Sequence, residues 1–328
     1  MNQHSEHDYA RRFRLDVKFE SVADPVTGQP RLAALFDPER YHLAGEGDEQ
    51  MLVDRLDQWA MPLAEVRRMI EEGLTSPWTG KGPLLSNARE YIAQRCEPIR
   101  SRLRTTGAAD KHEFVDRSEE YLAALPDGVH GFAVISIDLV GSTKLSSTLD
   151  PVTNARVIGV VLEELAAVAP YFHAHVLKFT GDGVLAYIPP DSFLTANDNA
   201  IDCALTMRSL MRDAVNPALT ELAFPAVDVR IGIESGAAVA LTVGHETSKQ
   251  HRDLIGKTLN LACKVQASGQ PGEIRIGQVA YQNMHTMWKR GCEGATLPQG
   301  WAYTLADGRP YPLYTFVADG AILDDTLR

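Results

Sequence analysis

Two aspartates at the ends of apolar segments are the residues of this sequence whose type and position most strongly indicate chemistry. Asp138 ends the apolar segment 131–138, and Asp182 lies in a Thr-Gly-Asp-Gly turn between two further apolar segments. Mg²⁺ prefers carboxylate oxygens and completes its coordination shell with waters and substrate phosphate. Two such ions can hold the attacking and the leaving oxygen of a phosphoryl displacement. A turn residue is the better interpretation of either aspartate alone, but the pair favours a two-metal nucleotide site.

The residues beside these aspartates favour a phosphate ligand. Gly141, Ser142 and Thr143 follow the first strand at the expected start of a helix, where free amides and two hydroxyls would face a phosphate. Lys178 lies four residues before Asp182 and shares its parity along the strand, so both side chains are expected on one sheet face. A cation within an apolar strand is costly without a partner. A lysine of an edge strand that reaches water is an equally good interpretation of Lys178.

A later segment, residues 251–264, contains a second group of polar residues. Asn260 and Lys264 are one helical turn apart and share a face of the predicted helix, beside an apolar face. An asparagine and a lysine that point the same way suit a sugar or a phosphate. Ordinary solvent exposure is the alternative interpretation.

The composition argues against several classes of function. The chain has 328 residues, 45% hydrophobic and 23% charged, which is typical of a globular protein with one large or two ordinary domains. The net charge of −11 disfavours nucleic-acid binding through a broad basic surface. The four cysteines have no metal-ligand spacing, and neither a signal pattern nor an apolar run of 18 residues occurs. We therefore expect a cytoplasmic protein that binds neither nucleic acid nor a membrane.

Hydrophobic periodicity divides the chain into three regions. We predict a mainly helical N-terminal region of unassigned role over residues 1–127, a second domain over 128–318 and a C-terminal tail over 319–328. Within the first region we expect a hairpin around the turn 24–30, and helical periodicity from residue 48 to residue 125.

The second domain alternates strands and helices. Helices interleaved with antiparallel hairpins favour an α+β fold with a ferredoxin-like centre. The predicted elements are a strand (131–138), a helix (154–168), a hairpin (176–178 and 184–188), a helix (200–214), a hairpin (227–234 and 237–243), a helix (257–267), a strand (273–276), a helix (279–288) and a hairpin (301–305 and 311–317).

Together these motifs resemble the catalytic domain of class III nucleotidyl cyclases, the adenylate and guanylate cyclase superfamily. The resemblance covers roughly residues 131–317 and depends on the segments 132–143, 178–182, 230–236 and 253–264. It implies an α+β fold, the ferredoxin-like class III cyclase catalytic domain, in which helices flank a central, mostly antiparallel sheet. It also implies a phosphorus–oxygen lyase that converts a nucleoside triphosphate to a 3′,5′-cyclic nucleotide and pyrophosphate.

The resemblance further implies a head-to-tail homodimer with shared sites. Asp138, Asp182 and the backbone carbonyl of Leu139 would hold two Mg²⁺ or Mn²⁺ ions on one chain. The ribose 3′ oxygen would attack the α-phosphate, a reaction that needs positioning and charge neutralisation but no covalent intermediate. The residues implied on the second chain are Lys178 and Asp253 for the base, Asn260 for the ribose and Lys264 for the transition state.

Three positions depart from the pattern of that family. Lys264 stands where most members have an arginine that stabilises the pentavalent phosphate, and lysine keeps the charge but lacks the bidentate fork. Ala237 replaces an arginine that often follows the Ser-Gly pair, and Ile255 replaces a common aromatic residue. Arg309, in a Gly-Arg-Pro turn of the last hairpin, is our hypothesis for a triphosphate contact.

Two resemblances point to different bases. Lys178 with Asp253 resembles the adenine-reading pair, which favours conversion of ATP to cAMP. The segments 138–143 and 252–256, followed by Lys264, instead resemble the Pycsar-type pyrimidine cyclases of bacterial antiphage defence. This second resemblance predicts conversion of UTP to cUMP, and next of CTP to cCMP, as a second messenger read by a separate cyclic-nucleotide effector.

Two rival functions stay open at this point. One is a catalytically inactive cyclase-like module that binds nucleotide, against which the retained aspartates, Asn260 and the cation at position 264 argue. The other is a two-metal polymerase or diguanylate cyclase, which is weakened because no Gly-Gly-Asp-Glu-Phe segment occurs.

Overall fold

The computed structural model describes residues 17–23, 30–38, 40–55, 59–75, 85, 87–105, 118–189, 193–244 and 251–318. The predicted C-terminal tail lies outside these residues. The chain forms two compact units, one within residues 13–79 and a larger one within residues 80–328. Among the helices that the structure describes, none combines the length and the apolar character needed to cross a membrane.

The smaller unit is built from two antiparallel sheets and a helix. Its described elements are β1 (Val17–Ala23), β2 (Pro30–Phe36), β3 (Tyr41–Ala44), β4 (Met51–Asp54), β5 (Trp59–Pro62) and α1 (Leu63–Thr75). β1 pairs with β2, which confirms the hairpin predicted around the turn 24–30. β3, β4 and β5 form the second sheet, and α1 follows directly.

The helical periodicity predicted from residue 48 onward is wrong for residues 51–54 and 59–62, which form strands β4 and β5. Along β4 the residues alternate between half-buried and buried, as expected of a strand with one covered face. Its buried Asp54 pairs with Arg40 at 2.7 Å between Oδ2 and Nη2. Short apolar runs fit the strand and the helix period alike, and sheet pairing decided between them here.

The larger unit is one sheet with helices on both faces. Its helices are α2 (Ala88–Arg104), α3 (Ser118–Ala124), α4 (Ser142–Thr148), α5 (Pro151–Val168), α6 (Phe193–Leu210), α7 (Asn216–Glu221), α8 (Lys257–Ala267), α9 (Gln278–Gln282) and α10 (Thr286–Arg290). Its strands are β6 (Gly128–Val140), β7 (His175–Phe179), β8 (Gly183–Ile188), β9 (Asp228–Val243), β10 (His251–Ile255), β11 (Ile274–Gly277), β12 (Cys292–Gly294) and β13 (Leu313–Phe316).

The sheet is mixed but mostly antiparallel. Its order is β12-β13-β11-β9-β6-β8-β7, with β10 paired to the end of β9. Among the described strands, only β9 and β11 pair in parallel. A mixed sheet flanked by helices confirms the predicted α+β class.

The hairpin predicted over residues 227–243 is instead a single strand. β9 continues through Ser235 and Gly236 and stays in register with β6 on both sides of that pair. Because β6 supplies hydrogen-bond partners along this whole length, the Ser-Gly pair does not reverse the chain. β9 instead pairs antiparallel with the following strand, β10.

The last predicted hairpin is present only in part. Residues 301–305 contribute one isolated bridge, between Thr304 and Pro310, rather than a strand. β13 pairs with β11 and with β12, a three-residue strand that the sequence did not predict.

The two faces of the sheet carry separate apolar cores. Ile135 and Ile137 of β6 pack into the larger core with α2, α5 and α6, whereas Val134 packs into a smaller core with α3 and α8. This confirms β6 as a strand covered on both faces. α8 lies very close to β9 at Gly232, where a Cβ atom would come within 2.3 Å of the backbone nitrogen of Gln266.

A buried ionic network joins α2 to α5. The fully buried carboxylate of Glu164 accepts from Arg95 Nη2 at 2.8 Å and from Arg102 Nη1 at 2.9 Å. Arg102 also pairs with Glu163, whose side chain is 53% exposed. α2 precedes residue 128 yet packs on the unit that contains the sheet, while the domain boundary at that residue stays a prediction.

We expect Glu164→Gln to lower the free energy of unfolding by about 3 kcal/mol, because it leaves the Arg95 guanidinium without its buried carboxylate partner. The matched control is Glu163→Gln, which removes an exposed partner and should cost at most about 1 kcal/mol. Urea denaturation followed by circular dichroism measures both. Equal losses in the two variants would contradict a stabilising role for the buried network.

Candidate active site

Asp138 and Asp182 lie side by side at one end of the sheet. Asp138 is the cross-strand neighbour of Gly183, the first residue of β8. Thr180 N donates to Gly183 O at 2.9 Å and closes the turn, and Leu139 N donates to Asp182 O at 3.1 Å. The hairpin predicted with Asp182 at its tip is confirmed, and this turn brings the two aspartates together.

Each of these carboxylates has one oxygen held by a neighbouring side chain. Ser142 Oγ donates to Asp182 Oδ2 at 2.5 Å. Arg230 lies directly opposite Asp138 in the register of β6 with β9, and its Nη2 donates to Asp138 Oδ2 at 2.5 Å. No described residue donates a hydrogen bond to Oδ1 of Asp138 or to Oδ1 of Asp182. One oxygen of each carboxylate is therefore available to a ligand.

The donor set fits a hard divalent cation. Two carboxylates and the nearby carbonyl of Leu139 are oxygen ligands of the kind that Mg²⁺ and Mn²⁺ prefer. The side chain of Asp138 is 28% exposed, so a bound ion would remain in contact with water. Within the part of the chain that the structure describes, no group of three or more His, Cys, Asp or Glu side chains is arranged to hold a metal. The residues thus fit an ion whose shell is completed by water and substrate phosphate.

The segment after β6 turns as the sequence predicted, but its serine has a different partner. Gly141 precedes α4 with a φ of 99°, a conformation that glycine adopts readily. The Ser142 hydroxyl is bonded to Asp182, so it supports a carboxylate in place of facing a phosphate. Thr143 is exposed. Phosphate binding by Gly141 and Thr143 stays a prediction.

Lys178 and Asp253 meet, although β8, β6 and β9 lie between their strands in the sheet order. Lys178 Nζ and Asp253 Oδ2 are 2.5 Å apart, with the lysine 43% exposed and the aspartate 13% exposed. A register shift between Val176 and Lys178 interrupts β7, so simple parity with Asp182 does not describe this strand. The pair offers a donor and an acceptor at the protein surface.

Helix α3 contacts both strands that carry this pair. The sequence did not indicate these contacts. Tyr121 of α3 stacks on His175 of β7 with ring centroids 4.5 Å apart. Arg252, the neighbour of Asp253 in β10, donates from Nε to the carbonyl of Leu122 in α3 at 3.2 Å. The orientation of Lys178 and Asp253 therefore depends on the segment that precedes the sheet.

Asn260 and Lys264 share the exposed face of α8, as predicted. The opposite side of the helix packs on the sheet, where Ser136 Oγ lies 3.6 Å from Cys263 Sγ. Ser136 and Asp138 have the same parity in β6, so α8 covers the sheet face on which Asp138 lies. Neither Asn260 nor Lys264 makes a side-chain hydrogen bond to any other described residue, which leaves both for an external partner.

Arg309 is not brought to the other predicted site residues. It lies in the loop between β12 and β13, where its Nε donates to Asp307 Oδ2 at 2.7 Å. This pairing raises the pKa of the Arg309 guanidinium above its ordinary value. Among the described residues, no other predicted site residue contacts it, so the triphosphate contact of Arg309 stays a prediction.

Glu234 of β9 is a buried carboxyl group that the sequence analysis missed. It accepts hydrogen bonds from Ser235 N at 2.8 Å, Ala280 N at 3.2 Å and the Tyr311 hydroxyl at 2.8 Å. Burial raises the pKa of Glu234 to about 7, although these donors favour the carboxylate. A carboxylate in the interior of a mostly apolar strand was the available signal. Through these hydrogen bonds the Glu234 side chain links β9, which carries Arg230, to α9 and to the loop before β13.

The predicted residues thus form two groups within one chain. The candidate metal group, Asp138 and Asp182, can bind hard cations together with phosphate. The candidate base group, Lys178 and Asp253, can donate to and accept from the edge of a base. No hydrogen bond or ion pair among the described residues joins the two groups.

Comparison with known proteins identifies the family to which the chain is similar. Residues 128–296 match the family model described as the adenylate and guanylate cyclase catalytic domain. The chain is 25% identical over 186 residues to a cytidylate cyclase of Escherichia coli and 27% identical over 153 residues to putative adenylate cyclase 3 of Rhizobium meliloti (strain 1021). These alignments cover 53% and 47% of this chain, but only 37% and 23% of those two proteins.

A solved structure shows the same fold. The adenylyl cyclase CyaB from P. aeruginosa aligns with a TM-score of 0.52 and 21% sequence identity, over 60% of this chain and 97% of that one. This likeness confirms the cyclase catalytic-domain fold expected from the sequence. Because the matched family model spans more than half of the 328 residues, the chain belongs to the adenylate and guanylate cyclase catalytic domain family.

Proposed function

We propose that this protein is a nucleotidyl cyclase, a phosphorus–oxygen lyase that forms a 3′,5′-cyclic nucleotide and pyrophosphate from a nucleoside triphosphate. The observation that carries the proposal is the adjacency of Asp138 and Asp182, each with one uncommitted carboxylate oxygen, in a chain of this family. A structural pair of surface carboxylates would not need both side chains to be oriented by dedicated donors.

The proposed reaction is an in-line displacement at the α-phosphorus. The ribose 3′ hydroxyl gives up its proton to solvent, its oxygen forms a bond to the α-phosphorus, and the bond from that phosphorus to the oxygen bridging to the β-phosphorus breaks, so that pyrophosphate leaves. Two Mg²⁺ or Mn²⁺ ions supply charge neutralisation and activation of the 3′ oxygen when they are bound. Asp138, Asp182 and the carbonyl of Leu139 hold these ions, while Ser142 keeps the Asp182 carboxylate in place. The backbone amides after Gly141 receive the phosphates.

The proposed catalytic unit is a head-to-tail homodimer. Its support is that no hydrogen bond or ion pair joins the candidate base group to the candidate metal group within the described part of one chain, and that Asn260 and Lys264 are exposed and make no side-chain hydrogen bond there. In this arrangement Asn260 of one chain orients the ribose bound to the other, and Lys264 places a positive charge beside the pentavalent phosphate. A lysine provides a point charge there without the planar fork of arginine.

The proposed substrate is a pyrimidine nucleotide, with UTP ahead of CTP. The support is the resemblance of segments 138–143 and 252–256 to pyrimidine cyclases, and the relative named as a cytidylate cyclase makes CTP the direct rival. The proposed product is a second messenger of antiphage defence that a separate effector reads. A donor from Lys178 beside an acceptor from Asp253 also matches the adenine edge, so an adenylate cyclase is the second candidate.

Product analysis tests the activity and the base. We expect the purified protein with Mn²⁺ to convert UTP to cUMP and pyrophosphate faster than it converts CTP, ATP or GTP, as measured by mass spectrometry. Asp138→Asn and Asp182→Asn should each lower kcat by at least about 100-fold, because each removes a metal ligand.

The control for these variants is Asp213→Asn, which changes an exposed carboxylate paired with Arg212 and should leave turnover unaltered. The cyclase proposal would be wrong if no nucleotide gave a cyclic product with either Mg²⁺ or Mn²⁺. Nucleotide binding without any product would identify the inactive module instead.

Mixing two inactive chains tests the shared site. Asp138→Asn and Lys264→Ala chains should each be inactive, and their heterodimer should contain one site with both halves intact. Random assembly at equal amounts then restores about a quarter of the wild-type activity. Mixing Asp138→Asn with Asp182→Asn is the control and should restore none. Heterodimers that are visible by native mass spectrometry but inactive would contradict the head-to-tail arrangement.

Removal of the acceptor tests the base contact. We expect Asp253→Asn to lower kcat/KM for the preferred nucleotide by about 100-fold or more, because a group that accepts from the base becomes one that also donates. The loss should be smaller for nucleotides that the wild-type protein uses poorly. The measurement is kcat/KM for all four nucleotides, and an equal loss for all four would show that Asp253 does not read the base.

A further inference from the structure

Arg230 begins one of the segments that carry the family resemblance, but the sequence did not assign it a role in the site. It lies in β9 directly across from Asp138 of β6, so its side chain emerges on the same sheet face. Its Nη2 lies 2.5 Å from Asp138 Oδ2. The carboxylate thus has a cation beside one oxygen, while its other oxygen has no donor among the described residues.

The contact is poorly explained as a stabilising ion pair. The two side chains are 31% and 28% exposed, and partly exposed ion pairs contribute little to stability. Arg230 also engages through a single nitrogen, and its Nε is buried without a hydrogen-bond partner in the described part of the chain. A purely structural arginine would be expected to satisfy this buried donor.

The same arrangement recurs at the second aspartate. Ser142 holds Asp182 Oδ2 at 2.5 Å and leaves Oδ1 without a donor among the described residues. Both carboxylates of the candidate metal group are therefore oriented in the same way, by one donor on Oδ2. Donors that fix the rotamer of a ligating carboxylate commonly tune metal affinity, although they never touch the metal.

We propose that Arg230 is the positioning residue of Asp138: by holding Oδ2 it directs Oδ1 toward a divalent cation at the candidate metal group. This inference rests on the proposed function for the presence of that cation. Arg230 acts through Asp138 and does not contact the substrate. The opposite role, a cation that competes with the metal for Asp138, predicts tighter metal binding once Arg230 is removed.

Binding of Mn²⁺ to the full chain without nucleotide separates these roles, with electron paramagnetic resonance reporting the free ion. We expect Arg230→Gln to weaken Mn²⁺ binding by about 10- to 100-fold. Arg230→Lys should weaken it less, because lysine keeps the charge but not the fixed planar geometry. The control is Arg212→Gln, which alters an arginine paired with the adjacent Asp213 and should bind Mn²⁺ as the wild type does.

A double-mutant cycle shows whether Arg230 acts through Asp138. In an Asp138→Asn background, Arg230→Gln should cause no further loss of Mn²⁺ affinity, since the carboxylate that it positions is gone. Circular dichroism and melting temperature verify that each variant is folded.

Unchanged or tighter Mn²⁺ binding by Arg230→Gln would overturn the proposal, as would an additional loss in the Asp138→Asn background. Absence of Mn²⁺ binding by the wild type would overturn it too. Formation of cyclic nucleotide is measured separately on the same preparations. If the protein forms cyclic nucleotide but Arg230→Gln leaves the Mn²⁺ affinity unchanged, only this inference is wrong. If Arg230→Gln weakens Mn²⁺ binding as expected but no cyclic product forms, only the proposed function is wrong.

Discussion

The register of β6 between β8 and β9 is the constraint on which the candidate site depends. It places Asp138 between Gly183 on one side and Arg230 on the other. A Cβ atom at position 183 would come within 2.5 Å of the carbonyl oxygen of Ile137, so only glycine lets the turn that carries Asp182 approach this closely. A slip of one residue would turn the Asp138 side chain to the opposite face and into the larger apolar core. Register therefore determines both the spacing of the carboxylates and the donor that orients one of them.

Packing on the two faces keeps this register in place. Alternate residues of β6 enter different cores, so a slip of one residue would exchange the side chains that fill the two cores and disrupt the packing of both. Because Gly232 has no side chain, α8 can pack closely against β9. This close packing determines how far Asn260 and Lys264 lie from the sheet. Helix α8, which carries Asn260 and Lys264, is thus positioned by β9, the strand that also carries Arg230.

Charge at the site is balanced locally in spite of a net charge of −11 for the whole chain. Asp138 lies against Arg230, and Asp253 lies against Lys178. A cation beside a carboxylate orients it, which suits a group that must bind a metal or a base edge. The negative net charge of the chain therefore disfavours nucleic-acid binding, but it does not prevent this site from binding a triphosphate.

The sequence by itself determined the features that local patterns encode. The apolar run ending at Asp138, the tight turn that carries Asp182 and the shared face of Asn260 and Lys264 follow from strand alternation, turn chemistry and helical period. The motifs around them also sufficed to place the chain in its family. These features depend on residues close together in the chain, for which composition and spacing are direct physical constraints.

The tertiary structure alone decided how distant segments meet. It made β9 one strand through the Ser-Gly pair, turned residues 51–54 into a strand, and left Arg309 apart from the other site residues. It also paired Lys178 with Asp253 and Arg230 with Asp138. Such contacts join residues far apart in the chain, and the energies that select them come from sheet register and core packing, which act only once the whole domain has folded.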